Sequence, residues 1–198
     1  MYELSVNNSK LRQATLRFLK SKQLSFEETG EIIKVNTKSN ERLDTYIAKK
    51  KSYVSYNTIQ KIIKDMVYIQ NFLEEIGGCI AYYSMKDIMV LNDSFFLFTN
   101  SKKVFEVRDE NIIISRPINK EEPFLYGELI DAEIIPMIFP YKITYKSLGL
   151  LALKLLVPEN RVFQFNEDLK ERLYPSGLYW FLENIFNNDV KNMTLIII

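Results

Sequence analysis

The fold is decided by the stretch ITYKSLGLLALKLLV, which spans Ile143–Val157. It is apolar almost all round a helical wheel, and only five positions interrupt it: Thr144, Lys146, Ser147, Gly149 and Lys154. A surface helix keeps one polar face, so a helix of this kind belongs inside a core. Pro158 ends it, because proline cannot continue a helix. The sequence therefore predicts a central buried helix on which the remaining elements pack.

Other helices are predicted on both sides of this stretch. From Asn57 to Ile76, apolar residues recur every three or four positions until Gly77-Gly78 supplies a stop. Gly177–Asn187 shows the same amphipathic spacing. A basic helix is predicted over Lys10–Lys22 with Ser9 as its N-cap, and a short helix is predicted after Ser39.

Short strands are predicted mainly in the middle of the chain. Ile88–Leu91 and Phe95–Thr99 flank Asn92-Asp93-Ser94, which indicates a hairpin. Glu31–Val35 and Asn111–Ser115 are two further strands, whereas residues 79 to 85 are predicted to be irregular. The predicted fold class is mainly α (α+β), with a central buried helix and short β-hairpin strands.

Composition excludes several functions. The 198 residues fit one domain at about 150 residues per domain, and the formal net charge is +1. Histidine is absent, which removes Ser-His-Asp and Cys-His catalysis and histidine zinc sites. The single cysteine, Cys79, cannot form an internal disulfide, so we expect an intracellular protein of the cytoplasm or nucleus, a host cell's included. No apolar run predicts a membrane span.

The order of elements, from residue 39 to 195, resembles the C-terminal lobe of the eukaryotic protein kinase fold. Phe124–Leu129 (FLYGEL) is similar to the end of the kinase activation segment. Thr144–Gly149 (TYKSLG) is similar to the Asp-x-Trp-Ser-x-Gly start of the buried F helix. Tyr179–Leu182, followed by Asp189, falls where a kinase has its H helix. The motif remnants are Glu128, Thr144, Ser147, Gly149 and Trp180.

The resemblance implies two parts of unequal size. Residues 39–198 correspond to the C-lobe, and residues 1–38 are a short helix and strand segment that forms a reduced N-lobe or cap. We expect residues 9 to 35 to cover the apolar hairpin around Phe96 and Phe98, because large bare apolar patches are rare on soluble monomers. The covering side chains would be Leu11, Phe18, Ile32 and Ile33.

The resemblance also implies that the kinase chemistry is lost. With Asp87 at the catalytic-loop asparagine, the His-Arg-Asp motif is replaced by Ile80, Ala81 and Tyr82. Ser84 stands at the loop lysine, and Asn100 falls near the aspartate of the metal-binding Asp-Phe-Gly motif. No Gly-rich nucleotide loop is found. We therefore expect no catalytic residue, no cofactor and no metal.

Three other groups of residues are candidate sites. The acidic residues Glu121, Glu122, Glu128, Asp131 and Glu133 are typical of a solvated loop. Asp87 with Asp93 and Asn100 is the better metal candidate, although an ordinary structural role is favoured for it. Cys79 has apolar neighbours and is expected to pack as a small hydrophobe.

The resemblance implies that the chain is a pseudokinase, and we expect a catalytically inactive protein-interaction module that binds a protein partner, with an active protein kinase as one candidate and a second copy of the chain as another. One alternative is a residual nucleotide-binding protein or an atypical phosphotransferase. A further alternative is a helical nucleic-acid adaptor using Lys10–Lys22, which the near-zero net charge disfavours. No membrane partner is expected.

Overall fold

A computed structural model describes residues 1–50, 54–115, 117–119, 121–126, 129, 135–157 and 164–195. Its helices and strands, in chain order, are β1 (Tyr2–Ser5), α1 (Ser9–Ser21), β2 (Phe26–Thr29), β3 (Ile32–Val35), β4 (Asn40–Arg42), α2 (Leu43–Lys49), α3 (Tyr56–Glu75), β5 (Gly78–Ile80), β6 (Ile88–Leu91), β7 (Phe95–Phe98), β8 (Val104–Arg108), β9 (Asn111–Ile114), β10 (Met137–Pro140), α4 (Ile143–Leu156), α5 (Glu167–Leu173) and α6 (Gly177–Asn187).

The predicted central helix is confirmed as α4. Along its length only Lys154 and Leu156 are less than fully buried, and it packs between α3 and α6. Gly149 lies where α6 comes closest, since a Cβ built there would be 3.0 Å from the Phe186 ring and 3.1 Å from Ile185. A side chain at position 149 would push the two helices apart.

The strands form three small antiparallel sheets, so the molecule is a mixed α/β fold. The strand orders are β1-β3-β2, β10-β9-β8-β5 and β4-β6-β7. One sequence prediction is wrong here, because residues 79 and 80 belong to β5, which pairs with β8. The short helix predicted after Ser39 is confirmed as α2, but it begins at Leu43 and not at Ser39, since Asn40–Arg42 first form β4 on β6. Strands of three residues are too short to show an alternation of apolar and polar side chains. Their pairing also depends on residues that are distant in the sequence.

The predicted hairpin β6–β7 is confirmed, and its turn shows why. Three residues connect the paired Leu91 and Phe95, and the first two, Asn92 and Asp93, adopt φ values of 52° and 54°, the left-handed conformation that these residue types tolerate in turns. The β8–β9 turn repeats this conformation at Asp109 and Glu110, with φ values of 48° and 60°. Asp-Glu is a weak turn signal, which explains why the sequence predicted β9 without its hairpin.

The elements before residue 50 pack on the rest of the chain. Helix α1 begins at Ser9, but its N-cap is Asn8, whose side chain accepts a hydrogen bond from the Leu11 N–H at 2.9 Å. Leu11 and Phe18 are buried in the same apolar cluster as the α4 side chains. Ile33 is also buried in this cluster, whereas Ile32 is 40% exposed and, contrary to prediction, is not part of it.

The hairpin phenylalanines Phe96 and Phe98 are fully buried by several parts of the chain. The Tyr46 ring of α2 lies edge-on to Phe96 at 6.3 Å, and Tyr83 lies edge-on to Phe98 at 5.8 Å. Cover for the hairpin therefore comes from residues beyond position 35 as well as from α1. Among the described helices, none combines the length and apolar character needed to cross a bilayer.

Candidate functional site with a buried lysine

The hairpin β6–β7 brings together two of the residues singled out in the sequence. Asp87 ends a single 3-10 turn before β6, and Asn100 follows β7. The Thr99 N–H donates to the Asp87 carbonyl at 2.8 Å, which closes the open end of the hairpin. Asn100 Nδ2 then donates to Asp87 Oδ1 at 2.8 Å. Asp93 lies in the turn at the opposite end of the same hairpin, away from this pair.

Lys103 supplies a cation between two carboxylates at this place. Its Nζ atom lies 2.7 Å from Asp87 Oδ2 and 2.9 Å from Glu122 Oε2, and its side chain is only 6% exposed. The same ammonium is 4.2 Å from the centre of the Tyr82 ring. A lysine is seldom buried this deeply unless it is paired, and here two carboxylates and an aromatic face surround it.

Backbone contacts hold Lys103 in this orientation. Asn100 caps the 3-10 turn Ser101–Lys103, because its Oδ1 accepts the Lys102 N–H at 3.0 Å. The Lys103 carbonyl in turn accepts the Ala81 N–H at 2.9 Å. Ile80 and Ala81 are fully buried. The positions assigned to a catalytic histidine and arginine therefore serve as packing residues at the edge of β5.

The segment after β5 is tied to the central helix. The Tyr83 N–H donates to Ser147 Oγ at 2.9 Å, and both residues are buried. Ser84 Oγ accepts the Lys86 N–H at 3.4 Å, a long bond at the start of the 3-10 turn. Thr144, the other hydroxyl of the motif remnant, is buried with no hydrogen-bond partner for its Oγ1 in the part of the chain that the structure describes. Ser147 thus positions the backbone beside Tyr82.

A cleft of about 410 Å³ opens beside the buried lysine. It is lined by Asp44, Ser84, Met85, Lys86, Asp87, Asn119, Glu121, Glu122 and Pro123. Within the described residues, no group of three or more acidic or cysteine side chains is arranged to hold a metal. Two carboxylates of the cleft are already neutralised by Lys103, so a divalent cation would have to displace an ammonium that is covalently part of the chain.

The remaining predicted residues are scattered. Glu121 is exposed and Glu122 contacts Lys103, whereas Glu128, Asp131 and Glu133 lie outside the described residues. Cys79 is fully buried, and burial raises the pKa of its thiol far above the ordinary range, as expected for a packed hydrophobe. Trp180 is 49% exposed on α6 and takes no part in the core.

Sequence reasoning missed Lys103 and Glu122 as site residues. Lys103 reads as one of two surface lysines in Ser-Lys-Lys, and Glu122 was placed in a solvated loop. One feature of the sequence indicates a cation at this place. Asp87 is charged and its expected neighbour Asn100 is neutral, and a buried carboxylate needs a compensating cation.

The chain matches no protein-family model, and no curated protein is similar to it. The resemblance to the kinase lobe therefore stays a prediction, and the site is interpreted from its own geometry.

Proposed function

We propose that the chain is a catalytically inactive, kinase-like protein-interaction module. The observation that supports this most directly is the ammonium of Lys103 between Asp87 and Glu122. In the proposed correspondence, Asp87 and Asn100 stand where a kinase binds Mg²⁺. In this chain a side-chain cation takes that place.

The chemistry of phosphoryl transfer argues in the same direction. Mg²⁺ needs oxygen ligands at about 2.0 to 2.1 Å in near-octahedral geometry. An ammonium 2.7 Å from Asp87 Oδ2 takes up the side of this carboxylate that a metal would use. Tyr82 stands at the position of the catalytic aspartate, and its ring faces Lys103. A phenol cannot replace a carboxylate that accepts the proton of a substrate hydroxyl at neutral pH.

The nucleic-acid alternative depends on unpaired positive charges in Lys10–Lys22, and most of these charges are paired. Of the five basic side chains in Lys10–Lys22, four form ion pairs with acidic residues of other elements: Lys10 with Glu106, Arg12 with Glu28, Arg17 with Glu75, and Lys22 with Asp65. Charges already paired within the protein contribute little to counterion release on a phosphate backbone. Helix α1 is held to the rest of the chain by these residues.

The nucleotide alternative is tested by thermal melting with millimolar ATP and either Mg²⁺ or Mn²⁺. A ligand at 100 times its dissociation constant adds about 2.7 kcal/mol to the free energy of unfolding, which moves a melting temperature by several degrees. We expect no change for the wild-type chain. A saturable rise would contradict the proposal and favour residual nucleotide binding.

The variant Lys103→Met is the matched control for this experiment. It keeps an unbranched side chain of nearly the same length and removes the ammonium group, which leaves Asp87 Oδ2 and Glu122 Oε2 without their cation. Stabilisation by Mn²⁺ in this variant, and not in the wild type, would identify the ammonium as the group that keeps metal out. Binding of Mn²⁺ by the wild type would show that Lys103 leaves the site readily.

A further inference from the structure

Five aromatic rings form a connected group along α6 and at the two ends of α5, and two of them are exposed. This aromatic surface consists of Phe165, Tyr174, Tyr179, Trp180 and Phe186. Tyr179 is central, with ring centres 4.9 Å from Trp180, 5.2 Å from Tyr174 and 6.1 Å from Phe165. Tyr174 is 61% exposed and Trp180 is 49% exposed. These two rings are more exposed than rings whose only role is to pack α5 against α6.

The rings hold one another in place. Tyr174 and Trp180 each contact Tyr179 nearly edge-on, at 88° and 82° between ring planes. A side chain fixed in the free protein loses little rotamer freedom when a partner binds. Exposed tryptophan and tyrosine are also the residue types that contribute most to protein interfaces.

A hollow of about 320 Å³ next to Trp180 adds a carboxylate to this surface. Its walls are Trp180, Glu183, Asn184, Asn187, Asn188 and Thr194. The floor is closed because Asn184 Nδ2 donates to the carbonyl and hydroxyl of Thr194. Glu183 Oε1 accepts a hydrogen bond from Asn187 Nδ2, whereas Glu183 Oε2 is shielded from solvent, accepts no hydrogen bond from a described residue and lies 3.9 Å from Lys170 Nζ. An indole ring and a carboxylate whose only cationic contact is the long one to Lys170 therefore line the same hollow.

This pairing matches one chemical group closely. A guanidinium stacks on an indole face and donates several N–H bonds to a carboxylate at its edge. The charge around the hollow has the complementary sign, since residues 165 to 194 contain five acidic and three basic side chains. Over the whole chain the net charge is +1, so this region is more acidic than the chain as a whole.

We propose that the aromatic surface binds an arginine-rich segment of a partner protein, with one guanidinium over Trp180 and Glu183 as its counterion. The inference rests on the proposed interaction role for the class of partner. It does not use the cleft. A second copy of the chain, a lipid surface and an uncharged ligand are the competing occupants.

The single tryptophan of the chain makes the test direct, because all indole fluorescence comes from Trp180. The full chain is titrated with a capped nonaarginine peptide in about 150 mM salt, which screens weak surface attraction. We expect a saturable change in Trp180 emission with a micromolar Kd. Nonalysine should bind at least fivefold more weakly, because ammonium lacks the planar fork, and nonaglutamate should cause no change.

Two variants separate the hollow from general attraction. Glu183→Gln should weaken nonaarginine binding at least fivefold. Glu171→Gln, which removes the same charge from an exposed position of α5 outside the hollow, should weaken it less than twofold. Tyr174→Ala should weaken it as strongly as Glu183→Gln. A melting temperature equal to that of the wild type shows that a variant is folded. Calorimetry with Trp180→Phe measures how much the indole ring contributes to binding of nonaarginine.

Several results would overturn the inference. These are equal losses for the two glutamate variants, equal binding of nonaarginine and nonalysine, or binding of nonaglutamate. Dimers by sedimentation that Trp180→Ala abolishes would assign the surface to a second copy, and a shift of Trp180 emission on neutral phosphatidylcholine vesicles would assign it to lipid. If nonaarginine does not bind and ATP leaves the melting temperature unchanged, this inference is wrong and the proposed lack of catalysis stands. A rise of the melting temperature with ATP would contradict the proposed lack of catalysis and would not affect this inference.

Discussion

The cleft and the central helix each bury a lysine, and they do so in different ways. Lys103 is matched by the carboxylates of Asp87 and Glu122. Lys146, on α4, lies 5.3 Å from the Tyr126 ring centre and 5.6 Å from that of Phe186, and the charge of Asp189 acts on it without any described carboxylate lying within 4.0 Å. Burial lowers the pKa of Lys146. Lysine is thus part of an ionic site in the cleft, whereas on the central helix its methylene chain packs between aromatic rings.

The largest effect is expected where the apolar region is most tightly packed. Leu151→Asp places an unpaired carboxylate at a fully buried position of α4. The cost of burying this charge is comparable with the whole stability of a domain, about 5 to 15 kcal/mol. We expect loss of cooperative melting by circular dichroism. Leu151→Met, which conserves volume, should cost less than about 1.5 kcal/mol. A folded Leu151→Asp chain would place α4 outside the core.

The two lysines can be compared directly by the same substitution. Lys103→Met leaves two carboxylates in a poorly solvated cleft without their cation, and breaking such a buried pair costs about 3 to 5 kcal/mol. Lys146→Met removes a partly desolvated charge from between aromatic rings and should be neutral or stabilising. Urea denaturation measures both. Similar losses for the two variants would mean that Lys146 also depends on a counterion.

A third comparison uses two hydroxyls on α4. Ser147→Ala leaves the buried Tyr83 N–H without an acceptor, which costs about 1 to 3 kcal/mol. Thr144→Val removes a buried hydroxyl that has no partner among the described residues, so it should change stability little or raise it. If Thr144→Val proved the more damaging, then Thr144 and not Ser147 would connect α4 to the segment beside the cleft.

The smallest effect is expected at Glu74, between the two regions. Burial raises the pKa of Glu74, while hydrogen bonds from Gln70 and Tyr145 partly oppose this. A carboxyl group whose folded pKa is raised contributes stability at low pH, and this contribution is lost as pH rises through the folded pKa. Wild type should therefore lose a few degrees of melting temperature relative to Glu74→Gln between about pH 4 and pH 7.

Tyr145→Phe sharpens this last prediction. The Tyr145 hydroxyl donates to both Glu74 oxygens at 2.9 Å. Without that donor the folded pKa of Glu74 should rise further, and the pH window of the loss should move upward. An unchanged or lower window would show that the hydrogen bond does not favour the ionised form.

Sequence patterns predicted the long helices and the central hairpin because residues close together in the sequence determine each of these elements. The apolar spacing of α3 and the continuous apolar run of α4 are each readable within one element. Strands β4 and β5 are not, since their three residues are defined by pairing with β6 and β8. The Lys103 and Glu122 contact joins two segments of ordinary loop composition, and only tertiary structure brings their charges together.

The buried position of Cys79 gives the molecule a built-in kinetic reporter. Its thiol lies in β5, paired with β8, and is inaccessible in the native state. A thiol reagent can modify it only while this sheet is open, and the chain contains no second cysteine to complicate the signal. At a high reagent concentration, where modification is faster than reclosing, its rate measures how often β5 separates from β8, and at a low concentration it measures the equilibrium population of the open form.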